Sequence, residues 1–151
     1  IRYAGLISWK SQAWGSTTDY QVKIHNKSLE SRKYTSFLTE HRALIMMYME
    51  DAIRATIELT EASNDQVKIR SSYNLAGISF DPATIGASIK KVMPEFDLDF
   101  APDFREEIAA SWPESIDDSA AQADWNWTPK YDLDSMTEAM LSNLKTKLQR
   151  S

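Results

Sequence analysis

Ser16-Thr17-Thr18-Asp19 sets three hydroxyls and a carboxylate in four consecutive residues, directly behind Gly15. A helix start needs only one such residue to cap its free N–H groups. Four together, after a strand-end turn, offer several donors and an anion at one spot, an arrangement that suits a zwitterionic ligand. Trp112 precedes Pro113 between two expected short helices. A Trp-Pro pair there either closes a core or walls a small pocket, because the indole is costly to expose and its N–H seeks a partner when buried. Trp125 and Trp127 read as core residues closing beneath the final helix. His25 falls in mid-helix and His41 beside Arg42 in a turn. Neither shows the spatial partners of a catalytic triad, so both are expected to be ordinary surface or edge residues. Asp97, Asp99 and Asp103, and the pair Asp117 and Asp118, carry ligands for a hard cation without calcium-loop spacing. A solvated edge or a helix cap is the expectation for them, and no metal site is assigned.

Gly5, Gly15, Gly77 and Gly86 cannot form a G-x-G-x-x-G turn or a P-loop in any register. The absence of cysteine excludes disulfides, thiolate catalysis and Cys-type zinc sites. Hydrophobic residues make up 42% and charged residues 26%, an ordinary globular balance. A net charge of −5 argues against a phosphate-binding face, so no nucleic-acid partner is expected. No run of eighteen apolar residues and no charged n-region with an apolar h-region occurs, so no membrane partner or secretory route is expected. A reducing compartment, the cytoplasm or the mitochondrial matrix, fits this composition.

The elements that must position these residues alternate between strand and helix, which indicates an α/β class. Residues 1–4 read as the end of a strand and Gly5-Leu6-Ile7-Ser8 as the turn leaving it, with no initiator Met ahead. Thr18 or Asp19 is expected to cap a helix to about Ser31, followed by strands at Lys33–Leu38 and Leu44–Met49. A helix from Glu50 to about Ala62 shows Ile53, Thr56, Ile57 and Thr60 at helical spacing. Val67–Leu75 reads as a further strand. Asp81 caps a helix with Pro82 in its first turn, Ile85, Ile89 and Val92 on its stripe, and Pro94 as its stop. Phe96–Phe100 alternates like a strand, and short helices follow at Phe104–Ala110 and Ser119–Trp125. The last helix, about Asp134 to Gln149, carries Met136, Met140, Leu144 and Leu148 on one face.

Six blocks of the chain carry a resemblance: RYAGLIS, GSTTDY, MMYMEDAIRATIEL, KIRSSYNLAGISFDPATIGASIKK, PEFDLDFAPDFREEIAASWPESIDDSAAQADWNW and DLDSMTEAML. Together they resemble the C-terminal half of the NAD-dependent L-threonine 3-dehydrogenases. These belong to the extended short-chain dehydrogenase/reductase group and are similar to nucleotide-sugar epimerases. The resemblance implies the end of a Rossmann-type sheet plus a small α/β substrate-binding domain. Residues 1–151 would form that C-terminal region, with residues 1–10 and parts of 33–75 completing a Rossmann-type domain whose N-terminal half is absent. It implies NAD as cofactor, L-threonine as substrate, the missing N-terminal half as a partner, and a homodimer.

In that family the Gly-rich turn and the catalytic Tyr-x-x-x-Lys pair precede the segment that begins here. None of Tyr3, Tyr20, Tyr34, Tyr48, Tyr73 and Tyr131 has Lys four residues on, so no catalytic residue is assigned and the general base is expected upstream of Ile1. The 151 residues by themselves are expected to be inactive. Tyr3, Ala4, Leu6, Ile7 and Ser8 match the segment beside the nicotinamide end. Thr17 and Thr18 match residues that bind the amino-acid head, Asp19 one that pairs with the ammonium, and Trp112 the wall over the substrate. Asp19 serves equally well as a helix cap and nothing more. The family usually has Pro where Ala4 stands, more Gly where Trp14 stands, Pro ahead of the Met pair, and Gly where Asn126 stands. Two other readings stay open: half of a nucleotide-sugar epimerase or reductase, and a truncated module without catalysis.

Overall fold

The computed structural model describes residues 1–11 and 17–150. In chain order the elements are β1 (Gly5–Ile7), a 3-10 turn (Thr17–Asp19), α1 (Tyr20–Ser31), β2 (Lys33–Ser36), β3 (Leu44–Tyr48), α2 (Met49–Glu61), β4 (Ile78–Phe80), α3 (Pro82–Val92), β5 (Asp97–Phe100), α4 (Arg105–Ala110), α5 (Ser119–Trp125) and α6 (Leu133–Gln149). One sheet has the order β1-β3-β4, with β1 parallel and β4 antiparallel to β3. A second sheet pairs β2 with β5 in parallel, Lys33 opposite Asp97 through Ser36 opposite Phe100.

β3 is buried on both faces, as interior strands of α/β sheets are. Leu44, Met46 and Tyr48 enter a core formed with Ile7, Tyr20, Ile24, Ile85, Ile89, Met136 and Met140, where α1, α3 and α6 meet. Met47 enters a second core with Ala4, Ala52, Ala55, Tyr73, Leu75, Trp125 and Trp127. The two late tryptophans are therefore core residues, but they close beneath α2 rather than beneath the final helix. Gly77 lets the chain approach β3 closely, since a Cβ there would stand 2.1 Å from the Met46 carbonyl oxygen.

Local signals account for most boundaries. Asp81 accepts from the Thr84 N–H at 2.7 Å, Pro82 follows it, and the chain leaves α3 at Met93 ahead of Pro94. Asp132 caps α6 by accepting from the Ser135 N–H at 2.8 Å, while the Ser135 hydroxyl accepts from the Asp132 N–H at 3.0 Å. Val92 and Leu148, expected on packing stripes, are exposed instead.

Three expectations give way. Gly5–Ile7 is a strand, not a turn, because its apolar residues pair with Met46–Tyr48; Arg2 contributes a lone bridge to Asn74. The expected strand at 67–75 does not form. The Lys68 and Ile69 N–H groups donate to the Tyr73 hydroxyl at 3.0 and 3.1 Å, and Tyr73 donates to Asp124 at 2.7 Å. One phenol takes the donors a neighbouring strand would have taken, and Ile78–Phe80, not foreseen, supplies the third strand. On α2 the inward face is Asp51, Ala52 and Ala55, whereas Ile53 and Ile57 stay 53% and 51% exposed.

His25 is also corrected. It is fully buried, not a surface residue, and its Nδ1 donates to the Gln21 carbonyl, which leaves Nε2 without a partner. Burial, working against that backbone bond, lowers its pKa from 6.5 to about 4. His41 is the exposed turn residue foreseen, 3.5 Å from Asp81 and 3.8 Å from Glu40.

The second core is tied together by Asp51. Its buried carboxylate accepts from the Lys130 N–H at 3.0 Å, the Tyr131 N–H at 3.0 Å and Arg54 at 2.9 Å. Arg54 in turn lies 4.6 Å from the Trp127 ring and donates to Glu58 and to the Thr128 carbonyl.

Asp51→Ala removes the acceptor of the part-buried Lys130 and Tyr131 N–H groups and one of the acceptors of Arg54, which keeps Glu58 and the Thr128 carbonyl, and should lower the unfolding free energy by about 1–3 kcal/mol. Urea unfolding followed by Trp fluorescence reads this directly; an unchanged midpoint would remove Asp51 from the role. A second measurement concerns pH. The folded state holds His25 neutral while the unfolded chain protonates it near 6.5, so unfolding takes up a proton between about 6.5 and 4. Stability should be complete above that window and fall by up to about 3 kcal/mol as pH drops through it. His25→Phe should flatten the profile over the same range, and a variant as steep as the parent chain would contradict the assignment.

Candidate functional site

The carboxyl end of a parallel sheet is where open α/β folds bind ligands. Ile7 pairs with Tyr48 there, so β1 and β3 end at one level, β1 running into Ser8 and β3 into the first turn of α2. Ser8 is buried and closes a tight turn: its carbonyl accepts from the Ser11 N–H and its Oγ from the Lys10 N–H, both at 3.2 Å. The side chains of Ala4 and Ile7 are committed to the two cores. Leu6 is 40% exposed, and the Tyr3 hydroxyl hydrogen-bonds Thr56 on α2. What residues 3–8 can present to a ligand at that sheet end is therefore chiefly backbone.

Thr17, Thr18 and Asp19 form one 3-10 turn at the head of α1, with Thr17 buried and the other two half-buried. Asp19 holds the N-cap position with helical angles, φ −72° and ψ −10°, and its side chain makes no capping bond. The cap explanation for this carboxylate is thereby withdrawn. Gly15, Ser16 and Trp14 lie outside the described residues.

α4 packs beside this turn. Its place is set by Glu106, which accepts from the Thr39 N–H and Oγ1 at 2.9 Å and from Arg42 at 2.7 Å. Burial works against that carboxylate, yet these donors outweigh it and hold its pKa below the ordinary range. Trp112 follows α4 directly, its N–H donating to the Ala109 carbonyl at 3.1 Å, and its side chain is left 39% exposed. The fold thus brings the Thr17–Asp19 turn and the approach to Trp112 into one neighbourhood.

Residues not foreseen fasten the segment beyond Trp112. Ser79 on β4 donates to the Glu114 carbonyl at 2.8 Å. Asp118, nearly buried, accepts from the Ala76 N–H at 3.3 Å and from Gln122 at 2.6 Å. Serine, alanine and a paired acid carry no local pattern that announces such contacts. Asp117 is exposed and accepts from the Ser119 N–H at 2.9 Å just ahead of α5, whose N-cap position belongs to Asp118 without a side-chain capping bond. Asp97 and Asp99 flank Lys33 at 3.3 and 3.0 Å, and Asp103 pairs with Arg105. Among the described residues no group of three potential ligands surrounds a metal position.

Tyr20, Tyr34, Tyr48 and Tyr131 have the wrong character for proton abstraction near neutrality, which needs a pKa brought down toward 7. Burial pushes Tyr34 and Tyr48 up to about 12 and raises Tyr20 as well. Tyr131 is pushed up to about 12, chiefly by its hydrogen bond to Glu50. The chemistry these groups offer is binding and shaping rather than acid–base work.

No family model matches the chain. Its structure is similar to that of the GalE-like L-threonine dehydrogenase from Cupriavidus necator, apo form, with 53% identity and a TM-score of 0.90 over 95% of this chain and 52% of that one. It is likewise similar to L-threonine dehydrogenase from Phytophthora infestans, with 51% identity and a TM-score of 0.92 over 97% and 47%. Among curated proteins it is 44% identical over 148 residues to an uncharacterized epimerase/dehydratase of Staphylococcus aureus strain USA300, covering 97% of this chain and 46% of that protein. The chain therefore spans about half the length of the relatives it matches. No described helix is long and apolar enough to cross a membrane. By sequence and by fold the chain is similar to about half of these L-threonine dehydrogenases and of the uncharacterized epimerase/dehydratase, with the fold of the C-terminal part of an epimerase-like short-chain dehydrogenase.

Proposed function

We propose that this chain is the substrate-binding part of an oxidoreductase that oxidises the 3-hydroxyl of L-threonine with NAD, giving 2-amino-3-oxobutyrate. The likeness to threonine dehydrogenases from two unrelated sources, over nearly the whole chain, carries this reading. The packing of α4 beside the Thr17–Asp19 turn supports it, because the turn offers hydroxyls and an anion and α4 leads into Trp112. Thr17 and Thr18 bind the amino-acid head. Asp19 pairs with the ammonium group. Trp112 closes over the substrate, excluding water and limiting side-chain size.

The residues at the end of β1 fit the ring end of a dinucleotide, since Ala4 and Ile7 turn their side chains inward and leave backbone groups for a carboxamide. Tyr3, Leu6 and Ser8 complete that strip. They do not fit the pyrophosphate, for which the four glycines offer no cradle. NAD, when bound, supplies the hydride acceptor. The proton acceptor is the Tyr of a Tyr-x-x-x-Lys pair outside these 151 residues. Residues 1–10 and parts of 33–75 belong to the Rossmann-type body, the remainder to the substrate side, and the working assembly is a homodimer.

The epimerase/dehydratase likeness keeps one alternative in view, half of an enzyme acting on nucleotide sugars. The net charge of −5 weighs against it, because a sugar nucleotide brings a pyrophosphate that needs cationic partners.

A chimera carrying this sequence in place of the matched half of the Cupriavidus necator enzyme should form NADH in the presence of L-threonine. Turnover of a UDP-sugar with no response to threonine would overturn the reading. In the same chimera, Thr17→Val and Trp112→Ala should each raise the threonine KM about tenfold, about 1.4 kcal/mol of lost binding. Unchanged KM and kcat would return these residues to a purely structural part.

A further inference from the structure

The small sheet holds only β2 and β5, so one edge of β5 has no neighbouring strand. Along a strand paired in parallel, alternate residues turn both their N–H and their C=O to the same side. The Asp97 N–H donates to the Arg32 carbonyl at 2.9 Å and the Ala101 N–H to the Ser36 carbonyl at 2.8 Å, so residues 97, 99 and 101 face β2. The N–H and C=O groups of Leu98 and Phe100 therefore face away, with no partner among the described residues. Sheet edges are commonly blunted by charged side chains. The charges of β5 are spent on its other face, where Asp97 and Asp99 flank Lys33.

A groove runs beside that edge. Four residues, 93–96, join α3 to β5, and the strand runs back along the helix with Leu98 against Gly86. The approach is close: a Cβ at position 86 would stand 2.4 Å from the Leu98 Cδ2. Ala83, Ala87 and Lys90 on the flank of α3, with Leu98 and Phe100 of β5, line a groove of about 280 Å³. Its ends carry opposite charges. Glu40 lines one end, tied to the head of α3 by its carbonyl, which accepts from the Ala83 N–H at 3.1 Å. Lys90 stands in the last turn of α3 at the other end and forms no ion pair among the described residues.

We infer that the groove between α3 and β5 takes an extended peptide of a partner protein as an added strand, antiparallel to β5. Unpaired N–H and C=O groups along an edge select an extended backbone, because only that conformation meets them in register. The alanine-lined flank of α3 leaves room for small apolar side chains at every second position of the peptide. The charged ends set its direction. A carboxylate belongs at Lys90, toward the start of β5, and a cation at Glu40, toward its finish, so the peptide runs against β5. A second copy of this chain fits less well, since two-fold pairing of β5 with itself sets Asp97 and Asp99 of both copies together on one face. The site is independent of the proposed reaction, for α3 and β5 hold none of the residues assigned to substrate or cofactor.

The probe is a fluorescein-labelled peptide, Lys-Val-Thr-Val-Thr-Val with a free C-terminal carboxylate, titrated by anisotropy with the 151-residue chain and with the Cupriavidus necator chimera. Both proteins should bind it saturably below about 1 mM. Amidating the peptide's C-terminus, or Lys90→Glu in the protein, should each weaken binding about fivefold. N-methylating one alternate set of peptide amides should abolish binding while methylating the other set leaves it, as one-sided strand pairing requires. Ala87→Trp fills the groove from an exposed position, so it should abolish binding with the urea midpoint unchanged. No saturable binding, equal tolerance of both methylated sets, or indifference to Ala87→Trp in a folded protein would each overturn the inference. Self-association that Ala87→Trp removes and the peptide does not compete with would overturn it too, by assigning the edge to a second copy.

Discussion

A single buried carboxylate organises the part of the chain on which the rest is laid out. Asp51 sits in the first turn of α2, where the helix dipole favours a negative charge, and receives three donors from distant and local groups. Two of these are backbone N–H groups of Lys130 and Tyr131, some eighty residues along the chain. The third is Arg54, whose guanidinium then lies over the Trp127 ring. Without the carboxylate, the Lys130 and Tyr131 N–H groups would lose their acceptor and Arg54 would keep only Glu58 and the Thr128 carbonyl. With it, the strand-to-helix passage from β3 to α2 is locked to the segment that leads into α6.

That lock has consequences at the sheet. β3 must be covered on both faces, by α2 with the paired tryptophans on one and by α1, α3 and α6 on the other. Because Asp51 fixes α2 and the approach to α6 together, it coordinates the two cores across one strand. The carboxyl ends of β1 and β3 are then level, which is the condition for a ligand to meet both. Glu106 plays the corresponding part elsewhere, clamping α4, which packs beside the Thr17–Asp19 turn, to residues 39–42. Both clamps are acids accepting backbone N–H groups, a bond stronger than one between neutral groups.

How much of this was legible depends on how local the cause was. Asp81-Pro82 and Pro94 delimit α3 through contacts within a few residues, and the helix stands where those residues put it. The six quoted blocks identify the family because they preserve type and order over nearly the whole chain. Residues 67–75 misled because they have strand composition, while their fate was decided by the hydroxyl of Tyr73 and by Asp124 fifty-one positions away. Periodicity found the stripe on α2 and could not say whether its partner lay within the chain. His25 reads as polar and hence superficial, but α1 is buried on most of its circumference and carries the imidazole inside. The proposed site rests on the resemblance for its residues, whereas Ser79, Glu106 and Asp118 act through contacts with partners distant in sequence that no spacing encodes.

Asn126 shows how a departure from the family pattern can be absorbed by backbone chemistry alone. Where the resemblance leads one to expect glycine between two tryptophans, this residue closes α5 in the left-handed region, with φ 59° and ψ 33°. Most side chains resist that region, but asparagine tolerates it, which makes it the usual substitute for glycine at a helix end. The turn keeps Trp125 and Trp127 in contact, ring centres 5.7 Å apart, with Arg54 over the second ring. A β-branched residue at 126 would oppose the reversal, displace Trp127 and uncover the guanidinium that Asp51 holds. The demand at this position is therefore for a conformation rather than for a particular side chain, and it comes from the buried ion pair a helix away.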